Sequence, residues 1–210
     1  MSHDYSGRNA IQLCEQYESV DFRTVHECWF SLLPSNAAVA VDLGCGSGRD
    51  ANALANSGFQ VLAVDSSQDM VYEAQRLHPN SKIEWLIDSL PELTLVLSRD
   101  DKFDLVLLSA VWMHLSVAQR SLAMKNLSKL CAPRGLIVIS VRHPADPSRG
   151  MTEASCEEIA TLALQSGLEI LQTFTTRDVL SRSEVTWSFI VLRLVRFGTD
   201  CSPACSPTSH

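Results

Sequence analysis

Three alternating glycines between two apolar runs constrain this chain more than any other stretch of it. From Val39 to Ser66 the sequence reads VAVDLGCGSGRDANALANSGFQVLAVDS. The run Val39-Ala40-Val41 ends at Asp42, and Gly44, Gly46 and Gly48 follow. A short small-residue stretch stops at Gly58, and a second apolar run, Val61 to Val64, ends at Asp65. The pattern predicts strand, glycine loop, helix and strand, with a carboxylate at the tip of each strand. Only a layered α/β fold uses that unit readily.

Each part has a physical role. Glycine has no Cβ, so a ligand can lie against bare backbone. A carboxylate closing the second strand can accept hydrogen bonds from both hydroxyls of a ribose. The dinucleotide fingerprint G-x-G-x-x-G needs glycine at position 49, where this chain has Arg49. Asp42, two residues before the first glycine, suits a ligand with a cationic amino end and would repel a pyrophosphate.

The stretch D-x-G-x-G-x-G, followed by an acid at the end of the next strand, resembles motif I and the acidic loop of class I S-adenosylmethionine (SAM)-dependent methyltransferases. The resemblance implies a doubly wound α/β sheet of seven strands in the order 3-2-1-4-5-7-6, strand 7 antiparallel, with helices on both faces. It implies SAM as cofactor, held by Asp42, Gly44, Cys45, Gly46 and Gly48 in the loop and by Asp65 and Ser66 after the second strand. Asp88 and Ser89 after the third strand and Ser109 after the fourth complete the expected set. In such enzymes an acid in the place of Asp88 bonds the adenine amino group; a turn or capping aspartate is the other reading of this residue.

The rest of the chain fits one domain. Apolar residues make up 46% of its 210 residues, which is enough for a single core. The net charge is −7 with no block of basic residues, which argues against nucleic acid as partner. No signal core or membrane-length run is present, so a cytoplasmic protein without membrane contact is expected, as a monomer or homodimer. Seven scattered cysteines argue against a disulfide framework. No metal is expected. The Cys201-x-x-x-Cys205 pair with His210 reads as part of a disordered Pro/Ser-rich tail over 198–210. Residues 1–34 read as an N-terminal helical lid and 35–197 as the SAM-binding domain.

In order, a helical period runs from Ala10 to Leu33, ended by Pro34. Ser66-Ser67-Gln68-Asp69 reads as a capping box opening a helix to Leu77. Strands are expected over 82–87, 103–108, 136–141, 168–175 and 185–195. Residues 92–102 read as a polar connection. Ser116 caps a helix to Leu130, Pro133-Arg134-Gly135 forms the next turn, and Ser155-x-x-Glu158 opens a helix ended by Gly167.

Strand-end logic then selects the substrate side. Ligands of open α/β sheets bind at the carboxyl ends of the strands. His114 and His143, after the fourth and fifth strands, are candidate general bases, because imidazole titrates near neutral pH; packing is the other reading of each. Trp112 offers a face for a flat or cationic substrate, and Arg142 a partner for a carboxylate. Tyr17 resembles the aromatic residue of the family's lid, with simple packing as the alternative. The link between the sixth and seventh strands begins at the same edge, so Arg177, Asp178 and Arg182 are further candidates for the pocket, with a solvated loop as the favoured reading of each.

The tetrapeptide of amino-methylating nucleic-acid enzymes, the Pro-Cys nucleophile motif and the acidic metal ligands of catechol-type enzymes are all absent. Through Asp42 to Gly48, Asp65 and Asp88 together, the resemblance implies methyl transfer to a small-molecule O, N or S nucleophile. Two alternatives remain at this level: closure of SAM by its own amine to azetidine-2-carboxylate with release of methylthioadenosine, and SAM binding without catalysis.

Overall fold

A computed structural model describes residues 5–195. The N-terminal helices α1 (Gly7–Glu18) and α2 (Phe22–Phe30) come first, then β1 (Val39–Leu43), α3 (Arg49–Asn56), β2 (Gln60–Asp65), α4 (Gln68–Leu77) and β3 (Ile83–Ile87). The second half holds α5 (Thr94–Ser98), β4 (Phe103–Leu108), α6 (Val117–Leu130), β5 (Cys131–His143), α7 (Cys156–Gln165), β6 (Leu168–Arg177) and β7 (Thr186–Leu194). The strands form one sheet in the order β3-β2-β1-β4-β5-β7-β6. Neighbours pair in parallel except β7, which is antiparallel to both β5 and β6. This is the predicted seven-stranded topology.

Strand alternation sorts the core into two faces. Val41, Leu62, Val64, Val106 and Leu108 pack with Val96 of α5, Ala123, Met124 and Leu127 of α6, and Ile159 of α7. Ala40, Val61, Ala63, Leu105 and Leu107 pack on the other face with Ala51, Leu54 and Ala55 of α3 and with Phe22 and Trp29 of α2. Because both faces are covered, the central strands read as continuous apolar runs. Asp104 fixes the entry of β1 against β4: its Oδ2 accepts from the Ala38 and Val39 amides at 2.7 and 3.1 Å.

Several local expectations are corrected. The helical period from Ala10 to Leu33 breaks at 19–21, where the Asp21 side chain accepts from the Thr24 amide and starts α2. The N-cap of α4 is Ser67 rather than Ser66; its Oγ accepts from the Met70 amide. The connection 92–102 contains the short helix α5. Pro133-Arg134-Gly135 does not precede β5 but bulges within it: Phe103 pairs with Cys131, and the next pair is Leu105 with Leu136. The Cys201, Cys205 and His210 group and the 198–210 tail lie outside the described residues. Among the described residues, no helix is long and apolar enough to cross a membrane.

Candidate functional site

A cavity of about 430 Å³ opens at the carboxyl ends of the strands. Its floor is the glycine loop. The Gly44 and Cys45 amides both donate to Val64 O, at 2.7 and 2.9 Å, which folds the loop across the end of β2. Gly44 has φ +78°, and a Cβ there would collide with the Val111 side chain after β4, so only glycine fits. Gly48 (φ +81°) serves packing instead: a Cβ would come within 2.5 Å of the Trp85 ring and 3.2 Å of Ala74. It does not line the cavity, and it seats α3 against β3 and α4. Gly46 lies under the Tyr17 ring and is not part of the wall either.

The strand-end acids differ from one another. Asp42 is buried, and neither of its oxygens has a hydrogen-bond partner of normal geometry. Burial pushes its carboxyl well above the usual range and the charges of Asp50 and Asp65 add to this, while the Arg49 charge and, more weakly, the Ala51 amide oppose it. Asp65 is shared between two elements: Oδ2 accepts from the Gly46 amide at 3.0 Å and Oδ1 from the Ser67 amide at 2.9 Å. Burial raises its pKa despite these bonds. Each of its oxygens keeps a second lone pair for a ligand hydroxyl.

Asp88 caps α5. Its Oδ2 accepts from the Leu95 and Val96 amides at 2.8 and 3.0 Å, and Oδ1 from Ser89 at 2.8 Å. It also lines the cavity, as do Ser66, Ser89, Ser109 and Cys45. Burial keeps the Cys45 thiol well above its ordinary pKa, so it serves as wall rather than nucleophile.

The N-terminal helices close one side. Tyr5 and Tyr17 line the cavity, and burial pushes the Tyr5 hydroxyl up to about 12. Among the bonds that tie this segment to the glycine loop and α4 are Ser47 Oγ to Glu18 Oε1 at 2.6 Å, Arg49 Nη1 to Tyr17 O at 3.2 Å, Ser67 Oγ to Tyr5 O at 2.7 Å, and Gly7 N to Asp69 Oδ2 at 2.6 Å. Arg149, in the loop after β5, is close enough to Tyr17 for its charge to oppose the effect of burial on the phenol.

Further lining comes from residues within or after β4, β5, β6 and β7. His114, Gln119, Ser140, Arg149, Arg177, Asp178, Arg182 and Trp187 all face the space. Asp178 is the organiser of its corner. Arg182 grips it at 2.9 and 2.7 Å and Trp187 Nε1 donates to it at 2.9 Å. The bond from Arg182 holds its carboxyl below the usual range against the opposing effect of burial, with help from Trp187.

Three of the candidates on the substrate side do not line the cavity. Trp112 is fully buried in the core. A 3-10 turn over Trp112–His114 separates successive side chains widely, so Trp112 turns inward while His114 faces the cavity. Arg142 is largely buried and bonds the Pro144 carbonyl. His143, the next residue along β5, projects to the opposite face and lines no part of the space. Tyr5, Gln119, Ser140, Arg149 and Trp187 were not singled out from the sequence. Alternation from Ser140 along β5 was the one available signal, because its Oγ accepts from the Ala110 amide beside the strand-four end.

Residues 40–135 match the methyltransferase domain family. Among curated proteins, a 116-residue stretch is 33% identical to the glycine N-methyltransferase of Mus musculus, covering 49% of this chain and 40% of that protein. A 102-residue stretch is 32% identical to the ubiquinone biosynthesis O-methyltransferase of Rickettsia bellii, covering 48% and 40%. The matched stretch thus spans well under half the length of these relatives. Among solved structures, a TehB-like SAM-dependent methyltransferase from Corynebacterium glutamicum superposes with a TM-score of 0.69 at 19% identity, over 89% of this chain and 98% of that one. Magnesium protoporphyrin IX methyltransferase from Synechocystis, with S-adenosylhomocysteine bound, gives 0.65 at 18% identity over 92% and 90%. At these identities the structural likeness establishes the fold.

Proposed function

We propose that this chain, whose residues 40–135 match the methyltransferase domain family, transfers the methyl group of SAM to a small-molecule O, N or S nucleophile. The observation that carries this reading is Asp42: a buried carboxyl whose oxygens have no hydrogen-bond partner of normal geometry, lining the cavity beside a bare glycine loop. A buried unpaired charge is costly unless a partner arrives. The cationic amino end of SAM is such a partner.

When bound, SAM supplies an activated methyl on a sulfonium whose leaving group is a neutral thioether. The residues present fit the rest of the molecule. Asp65 has free lone pairs for ribose hydroxyls. Asp88 and Ser89 face the space where an adenine would lie, although the bonds of Asp88 to α5 leave it less acceptor capacity than the sequence alone suggests. The protein then has to hold the acceptor in line with the methyl, and alignment of this kind can supply roughly 7–11 kcal/mol. His114 faces the cavity and is the candidate to take a proton from the acceptor. Its replacement by alanine should lower kcat about 10²–10⁴-fold with little effect on SAM affinity. We further assign 1–34 as a lid, 35–197 as the catalytic domain, and the cytoplasm as its location.

The test is mass spectrometry of products after incubation with SAM and a panel of small nucleophiles. S-adenosylhomocysteine with a methylated acceptor is expected. Methylthioadenosine formed from SAM alone, or binding without turnover across the panel, would overturn the proposal.

A further inference from the structure

The part of the cavity lined by β7 is distant, along the sheet, from the strands that carry the acids. Asp42, Asp65 and Asp88 stand at the ends of β1, β2 and β3, where the methyltransferase reading puts the cofactor. In the sheet order, β7 lies three strands beyond β1 and four beyond β2. At about 4.8 Å per strand, these offsets are roughly 14 and 19 Å. Trp187 and Phe189 line the cavity from one face of β7. Ser140, the register partner of Phe189 on β5, continues the lining toward β4. Helix α2 covers the same face: the His26 and Phe189 ring centroids are 5.9 Å apart, and Val25 lines the cavity. Leu180, in the turn after β6, lines it too while remaining 41% exposed.

Asp178 fixes this end. Its side chain is 1% exposed. Oδ1 accepts from Trp187 Nε1 at 2.9 Å and from Arg182 Nη2 at 2.7 Å. Oδ2 accepts from Arg182 Nε at 2.9 Å and from the Leu180 amide at 3.1 Å. One carboxylate thus sets both the indole and the turn that carries Leu180, and its charge is balanced by Arg182. Arg177, the last residue of β6, is exposed, so its charge stays hydrated.

We propose that Trp187 is the platform for the methyl acceptor, that the acceptor presents a neutral aromatic ring to it, and that Asp178 is the positioning residue that holds the indole. The proposal rests on the methyltransferase reading of the same cavity. An indole held by its nitrogen has a fixed orientation, and a second ring gains from offset-stacked or edge-to-face contact with it. The indole nitrogen is already committed to Asp178, and Val25, Phe189 and Leu180 present only apolar side chains, so a compact polar acceptor finds few partners here. Asp178 is paired with Arg182 and offers no spare charge to a cationic acceptor. Trp112, the tryptophan expected from the sequence to offer a face to a flat substrate, is buried in the core; Trp187 supplies that face from β7. A ring seated on Trp187 would extend its nucleophile past Phe189 and Ser140 toward the end of β4, after which His114 faces the cavity.

The experiment is calorimetric titration of protein saturated with S-adenosylhomocysteine. The probes are aromatic nucleophiles and their saturated counterparts: phenol and cyclohexanol, catechol and cyclohexane-1,2-diol, 2-naphthol and decahydro-2-naphthol, with glycine as a compact polar control. At least one aromatic probe should bind, about three- to tenfold more tightly than its saturated counterpart, and glycine should not bind. Trp187→Leu should weaken that aromatic probe about tenfold. Trp187→Phe keeps a ring without the bond to Asp178, so its affinity should fall between the two. Asp178→Asn should weaken the probe as well, and should add nothing in the Trp187→Leu background, because the two residues act through one contact. The affinity for S-adenosylhomocysteine should be unchanged in every variant. Saturated probes binding as tightly as aromatic ones, glycine binding alone, no aromatic probe binding, or a Trp187→Leu variant with unchanged aromatic affinity would overturn the proposal while leaving the methyltransferase reading intact. So would a folded Trp187→Leu variant that loses S-adenosylhomocysteine, because the indole would then serve the cofactor. Equal losses from Asp178→Asn with and without Trp187 would remove its positioning role, and so would wild-type affinity in Trp187→Phe, even if Asp178→Asn fails to fold. A wild-type protein that cannot bind S-adenosylhomocysteine would sink both readings.

Discussion

His26 holds Asp50 across a buried contact of 2.9 Å between Nε2 and Oδ2. Trp29 Nε1 donates to the other ring nitrogen at 3.1 Å, so Nδ1 is the acceptor and Nε2 carries the proton toward Asp50. Arg49 Nε grips the second Asp50 oxygen at 2.7 Å. The chain from Trp29 to Arg49 joins α2 to the first turn of α3, directly behind the glycine loop.

This relay sets an expectation for acid stability. Burial alone would raise the Asp50 carboxyl, but His26 and Arg49 outweigh it and hold the pKa below the usual carboxylate range. A depressed folded pKa contributes stability above the unfolded value of about 3.9. That contribution is lost as pH falls through the folded value. His26→Ala should cost about 1–3 kcal/mol at neutral pH, with the difference from wild type shrinking on acidification. Urea unfolding of both proteins at pH 7 and in acid would check it, and a constant difference would remove Asp50 from the account.

Asp42 behaves oppositely. Its folded pKa is raised by burial, so its contribution favours folding in acid and turns into a cost as pH rises past the unfolded value of about 3.9. Asp42→Asn should therefore stabilise the ligand-free protein at neutral pH by about 1–3 kcal/mol. The gain should fade toward pH 4. The same variant should bind SAM more weakly, because the buried charge that pairs with the amino end is gone. Thermal melts with and without ligand read both effects; a variant less stable than wild type when free would contradict the unpaired state of Asp42.

Asp88 has two candidate roles that separate cleanly. Removing it leaves the Leu95 and Val96 amides without their partner, which should cost about 0.5–2 kcal/mol as for other helix caps. If it also contacts the adenine, Asp88→Ala should raise the dissociation constant for S-adenosylhomocysteine. A stability loss with unchanged affinity would make capping its whole function.

Arg120→Ala should be among the most damaging single changes outside the cavity, at about 3–5 kcal/mol. It deletes a fully buried guanidinium that satisfies three carbonyls, a hydroxyl and Glu158. Arg120→Lys should recover little, since an ammonium cannot reproduce that fan of donors. Denaturant midpoints for the two variants check this, and a lysine variant near wild type would refute it.

The sheet and the strand-end acids were legible because each is coded locally. Apolar runs mark central strands, and a carboxylate after each run marks its tip. Side-chain direction after a strand end is not coded that way. Trp112 and His114 are two residues apart, yet one enters the core and the other the cavity, because a 3-10 turn intervenes. Arg142 shares a strand face with Ser140, but its guanidinium folds back onto Pro144 O. Asp88 caps amides seven and eight residues ahead, beyond the spacing of a local capping box. Arg149 sits in a loop without motif, and only the tertiary fold brings it to Tyr17.

The central claim is that this cavity binds SAM through the acids at its strand ends. Titration calorimetry with S-adenosylhomocysteine, on wild type and on Asp65→Ala, tests it most directly. Saturable binding at one site is expected. The variant should lose roughly 1.5–3 kcal/mol of affinity, the usual worth of hydrogen bonds to a charged group. Absence of binding by wild type at millimolar ligand, or a folded Asp65→Ala protein that binds as tightly as wild type, would contradict it.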